Sequence, residues 1–297
     1  MPYPTDLLSC RAAILWIVLL FLSSTWLASA SGLPGERQEP AETQEKVGDA
    51  EARAHAAMDL EPPDWAEARE AFREAAEEGS ATAMSYMGWI YEEGHGVRPD
   101  GEKAALWYAR AADAGAHDFA VKLGWMYLAG DGVEQDRAAS EDWFGRGIEA
   151  DHSPARIAFA SVLIADALGG RDTDRVHEAR ELLLVALEQG YDVASFFLAR
   201  LYIEGIGGHP VDDDEAIRFT RIGADTGNAQ MQGWLAYMYL NGRGVGADEV
   251  RASKWANLAA AGGDRLGNDL RQFLDEQLEP EEKKAARQMA VDWALSR

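Results

Sequence analysis

The chain has 297 residues, a formal net charge of −23 and a single cysteine, Cys10. An acidic balance of that size argues against nucleic acid and anionic lipid headgroups as partners, since both select for basic patches. One cysteine excludes an intrachain disulfide, and 47% hydrophobic residues over this length can bury a core that is stable by packing alone.

The first element in chain order is a leader. Arg11 precedes an apolar run, Ala12 to Leu22, and the small residues Ala28-Ser29-Ala30 follow. That order predicts a signal peptide over 1–30, cleaved after Ala30, which removes Cys10 and delivers the chain to the periplasm or the medium. The other reading is an uncleaved anchor, but the run falls short of the roughly 20 residues a bilayer crossing needs. Residues 31–46, SGLPGERQEPAETQEK, are polar, acidic and proline-containing, and are expected to be a disordered linker. An N-terminal helix pair is expected over 47–79, with helices Val47 to Asp59 and Asp64 to Gly79.

A unit of about 36 residues then recurs. The copies close at Gly115, Asp151, Gly190, Gly227 and Gly263, which gives 80–115, 116–151, 152–190, 191–227 and 228–263. A period of this size marks a stacked repeat architecture. Within a copy, helix A runs from about Thr82 to Glu93, with Ala83, Met87 and Tyr91 at helical spacing. Gly88 and Gly124 sit inside helix A, where glycine costs roughly 1 kcal/mol relative to alanine, so a small residue there is expected to admit helix B closely. Ala160, Ala199 and Ala236 keep the small volume in later copies. The turn Gly94-His95-Gly96-Val97, with its counterparts from Gly130 and Gly242, should end helix A in a left-handed conformation. It lacks the Gly-Lys-Ser/Thr ending of a phosphate loop. Asp100, Asp136 and Asp248 precede helix B, where a carboxylate meets the positive end of the dipole. Helix B is expected to bury Ala104, Trp107 and Ala111, with Trp143, Phe219 and Trp255 as counterparts of Trp107, each ring filling space between helix pairs. Residues 264–297 are expected to be capping helices, the last of them following Leu278-Glu279-Pro280-Glu281 and carrying Trp293.

No pattern of reactive residues emerges. The six histidines, His55, His95, His117, His152, His177 and His209, form no His-x-x-x-His pair, so no metal site is expected. Asp212-Asp213-Asp214-Glu215 lacks the alternating ligands of a calcium loop and fits the start of a helix B. No catalytic residue and no cofactor is expected.

The unit resembles the Sel1-like repeat in Leu123-Gly124 with Tyr127, Gly-x-Gly-Val, Lys103-Ala104, Trp107-Tyr108, and Ala111-Ala112 with Gly115. The match is strong from 80, 116 and 228, clear from 191 and weak over 152–190, where ALGGRDTD replaces the turn. The resemblance implies an all-α fold, a right-handed α/α solenoid of helix-turn-helix repeats, in which helix A lines the concave side. The slot after the small packing residue holds Trp89, Trp125, Ser161, Arg200 and Tyr237. Trp89, Trp125, Arg200 and Tyr237 are residue types enriched in binding hot spots and are the candidate contact row. The same spacing also fits core rings packed on the neighbouring helix A. By analogy the protein is a non-catalytic interaction scaffold or adaptor of the bacterial envelope, holding a protein, a peptide or a glycan, with no membrane insertion after cleavage. The reading from a different class is an envelope enzyme acting on cell-wall or polysaccharide material.

Overall fold

A computed structural model describes residues 41–296. The expected signal peptide and linker residues 31–40 lie outside the described residues. Among the described residues all regular structure is helical: α1 (Ala41–Met58), α2 (Trp65–Glu77), α3 (Ala81–Glu93), α4 (Gly101–Asp113), α5 (Asp118–Ala129), α6 (Arg137–Glu149), α7 (Ser153–Leu168), α8 (Val176–Glu188), α9 (Ala194–Glu204), α10 (Asp213–Asp225), α11 (Ala229–Asn241), α12 (Glu249–Ala261), α13 (Arg265–Gln277) and α14 (Pro280–Leu295). Short 3-10 turns, Thr173–Arg175 and Ile206–Gly208, stand before α8 and after α9. The chain is an α/α solenoid: α1 packs on α2, α2 on α3, α3 on α4, α4 on α5 and α5 on α6 in one compact unit, which among the described residues covers 41–159, and α9 through α12 pack in the same successive way in the other, which covers 160–296. The boundary between the units falls inside α7.

Local sequence sets the helix ends. The side chains of Asp100, Asp136 and Asp248 accept hydrogen bonds from the amides of Lys103, Ala139 and Arg251 at 3.0, 3.0 and 2.9 Å. Ser80 and Asn228 do the same for α3 and α11. Each such cap is worth about 1 kcal/mol over alanine. Gly94, Gly130, Gly205 and Gly242 close helix A with φ between 64° and 77°, as the turn sequence predicts. One boundary is corrected. α1 starts at Ala41, so residues 41–46 are helical and not linker. Ala, Glu, Gln and Lys are strong helix formers, which outweighs the general polarity of the segment.

The small site on helix A is filled as expected, but by a different ring. A Cβ on Gly88 would stand 2.4 Å from Tyr108 Cε1, and one on Gly124 would stand 2.5 Å from Phe144 Cε1. Tyr108 and Phe144 are fully buried, while Trp107 and Trp143 are half-exposed, packed against the core with one side and stacked under Arg110 and Arg146 at 4.6 and 4.3 Å. In the later copies the pattern reverses. Phe219 and Trp255 are the buried rings, and Thr220 and Ala256, fully buried, occupy the slot of Tyr108. Glycine in helix A goes with a large ring in that slot, and alanine (Ala199, Ala236) goes with a small residue.

The second glycine of each turn makes a joint between repeats. A Cβ on Gly96 would meet Trp65 Cβ at 2.5 Å, on Gly132 the Cα of Gly101 at 3.0 Å, on Gly207 the Cγ2 of Val176 at 2.3 Å, and on Gly244 the carbonyl oxygen of Asp213 at 2.0 Å. Each partner is the first residue of the preceding helix B. Polar groups add a further tie. The Tyr108 hydroxyl donates to Glu92 Oε2 at 2.6 Å, and Lys122 Nζ donates to the same oxygen at 2.8 Å, linking α3, α4 and α5. Burial, and then the Glu92 charge, push the Tyr108 hydroxyl pKa far up, so it stays a donor.

Candidate functional site

Trp89 stands in a cluster of rings built by the N-terminal part of the first unit. Asp64 caps α2 and fixes Trp65 at its first position. Gly94 turns the chain out of α3, so that His95 lies over both indoles. Its imidazole stacks on Trp65 with centroids 4.2 Å apart and planes at 18°, and meets Trp89 at 4.2 Å and 45°. Trp65 and Trp89 meet edge to face at 5.9 Å. The positive φ of Gly96 and its missing side chain let the turn approach Trp65 this closely. Tyr86, one helical turn before Trp89, approaches it at 6.3 Å and stacks on buried Phe72 at 4.5 Å, with His55 against both. Burial, and then the charge of Glu51, raise the Tyr86 hydroxyl pKa.

The cluster is anchored on one side and open on the other. Phe72 belongs to the core, whereas Trp65, Tyr86, Trp89 and His95 are half-exposed. The indole N–H groups of Trp65 and Trp89 donate to no described residue and are not buried. Large rings with free polar edges combine contact area with directional donors. Trp125, in the same slot of the next repeat, is also half-exposed, packs edge to face on Phe144 at 5.4 Å, and has a buried Nε1 with no acceptor among the described residues. A buried donor without an acceptor costs about 1–3 kcal/mol.

The other two residues of the expected row, both in the second unit, do not present contact groups. Arg200 is spent on Glu204, with Nε and Nη2 on its two carboxylate oxygens at 2.9 and 3.1 Å. Tyr237 is buried, 7% exposed, because α11 is covered by α10, α12 and α13 together. The closing helices fill the side of the last repeat that would otherwise be open. Trp65, Tyr86 and His95 are not in the contact row read from the sequence. Their one signal there is the aromatic content of a helix B and a turn flanking Trp89.

Asp212 caps α10, accepting from the amides of Asp214 and Glu215 at 3.0 Å each, as its position predicts. Among the described residues no three metal-ligating side chains are grouped to hold an ion. His117 and His152 approach at 6.2 Å beside Asp118, whose carboxylate lies 2.7 Å from His152 Nε2. Among the described residues no helix is long and apolar enough to cross a membrane.

A family model described as Sel1 repeat matches residues 81–115, 117–152, 192–228 and 229–264. Among solved structures, the chain is similar to c5321, a protective antigen of uropathogenic Escherichia coli strains displaying an SLR fold. The identity is 22% and the TM-score 0.66, over 84% of this chain and 53% of that one, so the chain spans about half the length of c5321. It is also similar to a Sel1 repeat protein from Oxalobacter formigenes, with 25% identity and a TM-score of 0.57, over 83% of this chain and 99% of that one. No curated protein matches the chain.

Proposed function

From the premise that this chain is a Sel1-repeat protein, we propose that it is a non-catalytic interaction scaffold of the bacterial envelope, and that a segment of a partner protein docks on the ring cluster of Trp65, Tyr86, Trp89 and His95. Sel1-repeat proteins are in general protein-interaction scaffolds. The observation that carries the site is the His95 imidazole held between two half-exposed indoles whose N–H groups have no partner among the described residues. Such a surface offers ring faces to apolar or proline side chains and two donors to main-chain carbonyls. Trp125, half-exposed, extends the ring surface toward the next repeat.

The proposal includes export, which rests on the order Arg11, Ala12 to Leu22 and Ala28-Ser29-Ala30. Mass spectrometry of the product made in a bacterial host is expected to give an N-terminus at Ser31. A product beginning at Met1 or Pro2 contradicts export with cleavage. The site is tested by affinity capture from an envelope extract with the wild-type chain and with Trp65→Ala/Trp89→Ala. The variant is expected to lose the captured protein while still melting cooperatively. Undiminished capture by the folded variant removes the ring cluster as the site.

A further inference from the structure

The last helix presents a cationic and apolar face on an otherwise acidic protein. Lys284, Arg287, Val291 and Leu295 recur at helical spacing on α14, with Lys283 flanking them, and two of the six lysines of the chain are adjacent here. Val291 is 50% and Leu295 81% exposed. Pro280, Lys283, Lys284, Arg287, Gln288 and Val291 line a shallow depression of about 360 Å³. Lys283 and Lys284 have no ion pair among the described residues, and Arg287 reaches Asp275 only at 3.5 Å. The opposite face of α14 is the one that packs on α12, with Trp293 edge to face against Trp255 at 5.7 Å.

A matching face exists at the other end of the chain. On α1, Glu45, Gly48, Asp49, Ala52 and Ala56 are exposed and share one side, and a Cβ on Gly48 would meet nothing within 4 Å. Glu45 and Asp49 have no ion pair among the described residues, while the neighbouring Arg53 is taken by Glu67 and Glu74. The two faces have the same layout. Each carries two charges in its N-terminal half and apolar residues in its C-terminal half. Glu45 to Ala56 and Lys284 to Leu295 span the same number of residues, so in a parallel pairing Glu45 meets Lys284, Asp49 meets Arg287, Ala52 meets Val291 and Ala56 meets Leu295. Small residues on one side leave room for the Val291 and Leu295 side chains on the other.

We propose that this protein associates head to tail, the α14 face of one copy docking on the α1 face of a second copy. The occupant follows from charge complementarity. A face of like design on both copies would set Lys284 against Lys284, whereas the α1 face supplies two carboxylates one helical turn apart, opposite two bases one helical turn apart. Such a contact is heterologous, so it leaves a free head and a free tail and builds either a closed ring or an open chain. At physiological ionic strength the repulsion between the net negative copies is screened beyond about 8 Å, while the docked charges lie well inside that distance.

The test is sedimentation velocity of the purified chain over a concentration series, with a tail variant, Lys284→Glu/Arg287→Glu, and a head variant, Glu45→Lys/Asp49→Lys. All four positions are exposed, and far-UV circular dichroism checks that each variant keeps its helix content. The wild-type mass is expected to rise with concentration above that of one chain. Each variant alone is expected to stay monomeric, and an equimolar mixture to associate again, because the intact tail of the head variant meets the intact head of the tail variant and the reversed tail meets the reversed head. A second disruption that leaves charge untouched, Val291→Ser/Leu295→Ser, is expected to weaken wild-type association. A wild type that is monomeric throughout, a head variant that still self-associates through its intact tail, or a mixture that stays monomeric overturns the proposal.

Discussion

Tyr108 packs on Gly88, and Phe144 on Gly124, so a single methyl group decides whether α3 and α4, or α5 and α6, can close. Gly88→Ala gains roughly 1 kcal/mol of helix propensity but drives Cβ to 2.4 Å from the Tyr108 ring, and overpacking costs about 1–3 kcal/mol. The ring cannot swing away without breaking its hydrogen bond to Glu92. Gly88→Ala is therefore expected to lower Tm. A rise in Tm for this variant contradicts this packing. That helix A needs a small residue was legible in the sequence. Which ring it receives was not, because Trp107 and Tyr108 are adjacent aromatics and one helical step of about 100° separates the half-exposed position from the fully buried one. His117 adds a pH dependence. Burial, and then the neighbouring His152, lower its pKa, with Asp118 opposing. The folded state thus binds this proton less readily than the unfolded chain does. Stability is full above the unfolded histidine pKa of about 6.5 and falls as the pH drops below it. Tm is expected to decline from pH 7.5 to pH 5, with a shallower decline in His117→Asn. Equal slopes would show that His117 does not contribute.

At the scale of elements, the stacking joint is the contact of each turn's second glycine with the residue 31 positions before it: Trp65, Gly101, Val176 or Asp213. The left-handed glycines were legible from the Gly-x-Gly-Val turn. The joint was not, because its partner is a different residue type in every copy and only its distance along the chain is constant. Gly244→Ala is expected to be far more destabilising than Gly115→Ala. Both are left-handed, with φ of 63° and 102°, but the first would push a methyl group to 2.0 Å from a backbone oxygen and the second meets open space. Backbone strain alone costs about 1–3 kcal/mol, so the excess loss for Gly244→Ala, read from urea midpoints, measures the joint. Similar midpoints for the two variants would show that the joint yields freely.

Across the whole molecule, the period and its in-phase glycines made the all-helical repeat fold legible before any side chain was considered. The candidate site was legible only in part. Trp89 and Trp125 could be placed by slot, but the rings that make Trp89 a surface come from a turn and from a helix outside the five counted units. Tyr237 shares the slot and is buried, because the closing helices cover the repeat it belongs to. Slot equivalence therefore predicts a face only where the neighbours are equivalent too, and at the end of an array they are not. The central claim is that the partner docks on the rings of the first unit. Hydrogen–deuterium exchange of the wild-type chain, alone and with its captured partner, tests it most directly. Slowed exchange is expected in peptides covering 65–72 and 86–97. Protection absent there and confined to α9 through α12 would contradict it.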